Sequence, residues 1–208
     1  MKALLSLGAI LALASPLAAD CVPHRVMKIV TAAEYADVPR EAFASQPRTT
    51  YRLGDRYGRI EEPLNPNDDV QLIITINEPD IWMVNTVEMS GQHIVDPGPT
   101  FELHLPVLDA VDSKFWRQLE FGCEEPFMKA VGARVEKASN GALKYTHAAE
   151  GVTVALFISA GKPQRIEIAT PKMQYAIRYV SYEMLAEDTA ERFQRPQNVR
   201  FLEATQEK

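Results

Sequence analysis

The sequence predicts an α+β fold that is mainly β, a curved antiparallel sheet or barrel of about nine strands interrupted by one or two helices. Three observations carry that expectation. Short β-branched and aromatic runs recur at roughly 8–12-residue spacing. The runs are separated by Gly-, Asn-, Asp- and Pro-containing turn signals. The one stretch with helical spacing lies between two groups of strands rather than alternating with them.

The first nineteen residues stand apart. Met1–Ala19 holds 14 apolar residues, the single charge of Lys2, and a small-residue end, Ser15-Pro16-Leu17-Ala18-Ala19. That order is the layout of a secretory signal peptide, and the run is short for a membrane span. Cleavage after Ala19 leaves residues 20–208 as a single domain. It removes one of 22 basic residues and none of 28 acidic ones, so the net charge moves from −6 to −7. An acidic chain of this kind is not built as a general nucleic-acid binder. No second apolar run is long enough to cross a bilayer as a helix. Export points to the periplasm, an oxidising space, where the pair Cys21 and Cys123 reads as a disulfide. A competing reading makes Cys21 the acylated residue of a lipoprotein; Asp20, where such signals carry a small residue, argues against it.

Along the mature chain, Thr31–Phe43 is alanine-rich and broken by Pro39, and is expected as short helix or coil. Thr49–Leu53 and Tyr57–Glu61 alternate and meet at Gly54-Asp55, a hairpin signal. The polar stretch 61–69 reads as a long surface connection. Val70–Ile76 is followed by the turn residues Asn77-Glu78-Pro79-Asp80, then by strands Ile81–Asn85 and Gln92–Val95 with a turn at Ser90-Gly91. Asp96-Pro97-Gly98-Pro99 stops the ladder, since proline cannot donate to it. The helix is expected over Ser113–Phe121, capped by Asp112 or Ser113, with Phe115, Trp116 and Leu119 on one face and Gly122 at its end. A further helical turn can start at Pro126. Five strands complete the chain: Ala133–Lys137, Leu143–His147, Val152–Ser159, Gln164–Ala169 and Met173–Ser181.

Catalysis has no support in this pattern. His24, His93, His104 and His147 come without ligand spacing; His93 and Asp96, three apart on a strand, point to opposite faces. The chain has no zinc-protease, nucleophile-elbow, phosphate-loop or dinucleotide signature, so no catalytic residue, metal or cofactor is expected. The aromatic residues say more. Phe101, Phe121, Phe127 and Tyr182 add to the apolar set, and in the last strand Tyr175, Ile177, Tyr179 and Ser181 share one face. A wide sheet closed by a helix either fills its concavity with side chains or leaves room for a ligand.

Three stretches resemble the periplasmic lipoprotein-carrier superfamily, the LolA/LolB-like fold. They are the early strand pair Tyr51–Glu61; Leu72–Ile76 followed by Asp80–Asn85; and the closing run Gly161–Ile168, Tyr179–Tyr182 and Asp188–Pro196. The resemblance implies an open antiparallel half-barrel of roughly eleven strands, against about nine from the residues alone, with helices over its mouth and a concave apolar face that holds acyl chains. On that reading the protein binds or carries a hydrophobic ligand or lipid, with Trp82, Phe115, Trp116, Leu119, Phe157, Tyr175 and Tyr179 as candidate contacts. The early helical segment, the cysteine pair and the 96–99 loop depart from the family pattern, which suits a divergent relative. A non-catalytic module with a fully packed sheet, meeting another envelope protein, is the other expectation.

Overall fold

The computed structural model describes residues 21–96, 103, 113–186 and 190–202. The expected signal peptide, Phe101, His104 and Asp112 lie outside them. Among the described residues, twelve strands form one sheet: β1 (Met27–Tyr35), β2 (Arg48–Leu53), β3 (Tyr57–Glu61), β4 (Leu72–Asn77), β5 (Asp80–Asn85), β6 (Ser90–Val95), β7 (Arg134–Lys137), β8 (Leu143–Ala149), β9 (Val152–Ser159), β10 (Lys162–Ala169), β11 (Gln174–Met184) and β12 (Arg200–Leu202). Their order across the sheet is β12-β6-β5-β4-β3-β2-β1-β11-β10-β9-β8-β7, so β1 joins two antiparallel meanders. Among the described residues, only β12 pairs in parallel, against β6. The fold is the expected mainly β, α+β open half-barrel.

Strand β1 corrects the expectation of helix or coil over Thr31–Phe43. The helix preference of its alanines is worth only a few tenths of a kcal/mol each, whereas β1 is hydrogen-bonded on both sides, to β2 and to β11. Burial of Met27, Ile29 and Thr31 on one face then follows the strand period of two. Ser90 and Gly91 also belong to a strand rather than a turn, which lies at Thr86–Met89. The Cβ of any other residue at Gly91 would sit 2.4 Å from the Met83 carbonyl oxygen, so only glycine fits there. The hairpins at Glu150-Gly151 and Ala160-Gly161 close with two residues, all at positive φ between 49° and 76°, the geometry that matches strand twist.

A bulge at Val180 reshapes the last long strand. Thr31 faces Tyr179 and Val30 faces Ser181, so Val180 has no partner in β1. One extra residue reverses the side-chain parity beyond it. Tyr182, rather than Ser181, therefore joins Tyr179 at the core, their rings 6.2 Å apart.

The expected helix over Ser113–Phe121 is also corrected. That stretch holds one 3-10 turn, Trp116–Gln118, and the only α-helix among the described residues is α1, Glu124–Ala130. Trp116, Leu119 and Phe121 are all buried, although one helical face could not carry all three into the core. Gly122, at φ +90°, lies so close to the sheet that an added Cβ would stand 2.9 Å from Met27 Sδ. The chain turns there into α1, where Pro126 costs nothing because first-turn N–H groups lack helical partners, and Glu124 and Glu125 favour the positive end of the dipole.

Two cores result. The larger fills the concave face, where Ile29, Ile76, Leu156, Ile166 and Ile177 meet Trp116, Leu119, Phe121, Phe127 and Met128 of the insert. The smaller lies on the convex face, where Phe193 packs on Val26 and Tyr51.

Candidate functional site

The concave face and the insert covering it, residues 113–132, bring together most of the aromatic residues the sequence singles out. Trp116 and Leu119 are fully buried, and Phe115, partly buried, packs edge-on against Trp116 with ring centroids 5.0 Å apart. Tyr175 and Tyr179 stand on the wall formed by β11. Cys21 and Cys123 are joined by a disulfide, Cα–Cα 5.2 Å, which ties the segment before β1 to the start of α1.

Trp82 and Phe157 are corrected: neither lines the concave face. On β5, Ile81 packs into the concave core, which sends Trp82 to the convex side, opposite Thr75 and His93 and stacked on the His93 ring at 5.5 Å. On β9, Val152, Val154, Leu156 and Ile158 face inward. Phe157 points outward beneath the Lys144 ammonium, 5.5 Å from its ring centre. Alternation alone reveals which residues share a face but not which face is concave.

Polar groups the sequence did not single out fasten the insert. Arg52, on β2, is 2% exposed. Its guanidinium donates to the Phe121 carbonyl at 2.8 Å and the Gly54 carbonyl at 3.2 Å, and pairs with Glu120 at 2.6 Å. Glu124, 1% exposed, accepts the Tyr179 hydroxyl at 2.8 Å and the Gly122 N–H at 3.0 Å. Burial pushes the Glu124 carboxyl up to about 6, although these hydrogen bonds and the Arg52 charge favour its ionised form. Burial and the same carboxylate push the Tyr179 and Tyr182 hydroxyls well above their ordinary value.

The far side of the insert is held in the same manner. Tyr145 on β8 donates to Glu125 at 2.8 Å, and Lys129 pairs with Glu125 at 2.9 Å. Burial would raise the Glu125 carboxyl, but these partners outweigh it and hold the group below its ordinary value. The Trp116 indole N–H donates to the Ala149 carbonyl at 3.1 Å, and Ser113 donates to Glu150 at 2.7 Å while accepting the Trp116 backbone N–H. Phe115 stacks on His147 at 5.4 Å. Single buried charges such as Arg52 and Glu124 carry no sequence signature, because their partners come from distant strands.

Among the described residues, no three His, Cys, Asp or Glu side chains converge as metal ligands. His93 instead bonds Asp80 at 2.7 Å across β5 and β6. No helix among those residues is long and apolar enough to cross a membrane.

No family model matches the chain, and no curated protein does. Among solved structures, the chain is similar to an uncharacterized conserved protein from Thermus thermophilus, at 12% identity and a TM-score of 0.49, over 86% of this chain and 90% of that one.

Proposed function

We propose that the protein is a periplasmic binder or carrier of a hydrophobic ligand, a lipid or acyl chain, held against the concave face of the half-barrel. The observation that carries this reading is the construction of the cover. A broad apolar wall is closed by a segment containing one 3-10 turn and a seven-residue helix, fastened by Arg52, Glu124 and Tyr145. A helix that short has little stability of its own in water. The cover is thus a unit that can open at lower cost than unfolding the sheet. An acyl chain replacing Phe121, Leu119 and Trp116 would meet the same apolar wall. The resemblance to lipoprotein carriers implies the same use of this face, and the Cys21–Cys123 disulfide suits an oxidising compartment. On this reading the chemistry is binding, without catalysis or a cofactor.

One observation favours a second reading. Trp116, Leu119, Phe121 and Met128 are each at most 1% exposed, as in a solid core. A permanently filled half-barrel would serve as an interaction module for another envelope protein. Native mass spectrometry of protein taken from its own periplasm, joined to titration with a fluorescent fatty acid, decides between the two. Co-purified lipid or saturable probe uptake supports the carrier; neither, in protein shown to be folded, overturns it.

A further inference from the structure

A second polar site stands on the convex face, away from the insert and independent of the reading above. The chain as a whole is acidic, with a net charge of −6, yet its C-terminal segment gathers Arg192, Arg195 and Arg200 within nine residues. Phe193 explains their position. Its side chain is fully buried between Val26 and Tyr51, with its ring 5.6 Å from that of Tyr57, and this anchor lays residues 190–202 across the outside of the sheet. Strand β12 then pairs with β6 and fixes the far end.

A cleft of about 480 Å³ opens between this segment and the sheet, lined by Arg59, Glu191, Arg192, Gln194, Arg195 and Gln197. The Arg192 guanidinium lies over the Tyr51 ring, 4.3 Å from its centre, and that of Arg195 over Phe201 at 5.2 Å. Stacking of this kind orders the guanidinium plane and leaves the N–H edge available to a planar or tetrahedral anion. Arg59 supports the arrangement by donating to the Arg192 carbonyl at 3.4 Å and to Thr75 Oγ1 at 3.3 Å, while pairing with Glu61.

The electrostatics are unfinished. Among the described residues neither Arg192 nor Arg195 has an ion-pair partner, and the Arg192 Nε–H is buried with no acceptor. A buried charged donor without an acceptor is costly, so such groups are normally satisfied by an anion or a carbonyl. Two positioned guanidinium forks and two glutamine amides offer more donors than one carboxylate uses, and suit the oxygens of a phosphate. We propose that this cleft binds the phosphate group of an organic phosphate, either a free small molecule or a phospholipid headgroup.

Calorimetric titration of the intact exported protein with sn-glycerol 3-phosphate at low salt, with glycerol as the neutral control, tests the free ligand. Co-sedimentation with phosphatidylglycerol vesicles tests the headgroup. Saturable binding to either, weakened about tenfold or more by Arg195→Gln and only partly restored in Arg195→Lys, supports the site; a tenfold loss is the scale of one charge-assisted hydrogen bond. Arg192→Gln should act in the same direction. Arg195 is exposed, so its variants keep the test valid if Arg192→Gln unfolds the Tyr51 cluster. Binding to glycerol phosphate identifies a free ligand, and binding to vesicles alone identifies a headgroup. No binding to either, or binding that Arg195→Gln leaves unchanged, overturns the proposal.

Discussion

Tyr179 donates its hydroxyl to Glu124 at 2.8 Å, joining the wall of the half-barrel to the first turn of the helix that covers it. The carboxylate also accepts the Gly122 N–H, and it interacts electrostatically with the Arg52 guanidinium and the Tyr182 hydroxyl. A titrating group thus sits at the seam between insert and sheet.

The first prediction follows from that seam. The Glu124 carboxyl titrates at about 6 in the fold against 4.5 as a free group. A raised carboxyl favours the folded state when protonated, so its contribution is full below 4.5 and is lost as pH rises through about 6. That loss is on the order of 2 kcal/mol. Glu124→Gln, which retains an acceptor for Tyr179, should remove this part of the pH dependence and be the more stable protein at pH 7.5. Urea unfolding at pH 4.5, 6 and 7.5 checks it; parallel pH profiles for the two proteins would refute the assignment.

Removing the disulfide should destabilise the protein. The bridge spans 102 residues of sequence, and loop-entropy arguments give about 4–5 kcal/mol for a loop of that size. Cys123→Ser should lower Tm on the order of 10 °C. Calorimetry of the oxidised protein and the variant measures the difference, and equal Tm values would contradict it.

Export is expected to remove Met1–Ala19 and leave Cys21 without lipid. A sulfur bonded to Cys123 cannot also carry a diacylglycerol thioether. Intact mass of the exported protein should match residues 20–208 less two hydrogens. A mass increment for diacylglycerol on Cys21 would sink this expectation.

Trp116→Ala separates a displaceable cover from a permanent plug. In a solid core this truncation costs about 3–5 kcal/mol. As a cover segment whose opening is cheap, Trp116 should cost less than that, and its loss should weaken uptake of a fluorescent fatty acid. Denaturant unfolding and probe titration on the one variant give both answers. A full core penalty with no probe uptake by the parent protein would favour the packed module.

Much of the sheet was legible. Tyr57–Glu61 and Val152–Ser159 occur with the expected bounds, and most other strands differ by one to three residues at their ends. These strands alternate and are closed by local turn residues, so short-range chemistry specifies them. Strands β1 and β12 were not legible, because an alanine-rich or three-residue strand exists only through its neighbours. The candidate site was half legible. Aromatic composition points to Trp116, Leu119 and the two tyrosines of β11, but it does not tell that Trp82 and Phe157 face away from the concave core, and nothing local marks Arg52 and Glu124.

The class of fold and the hairpin turns follow from local chemistry, because periodicity, glycine and proline act within a few residues, and the composition supplies the two cysteines that pair. Tertiary structure alone decided which face is concave, where the Val180 bulge reverses the last strand, and that the insert turns rather than continuing as a helix. It also brought Arg52 to Phe121 and Arg192 to Tyr51. Each of those outcomes depends on groups far apart in the chain whose burial or charge is balanced only once the sheet has curved around them.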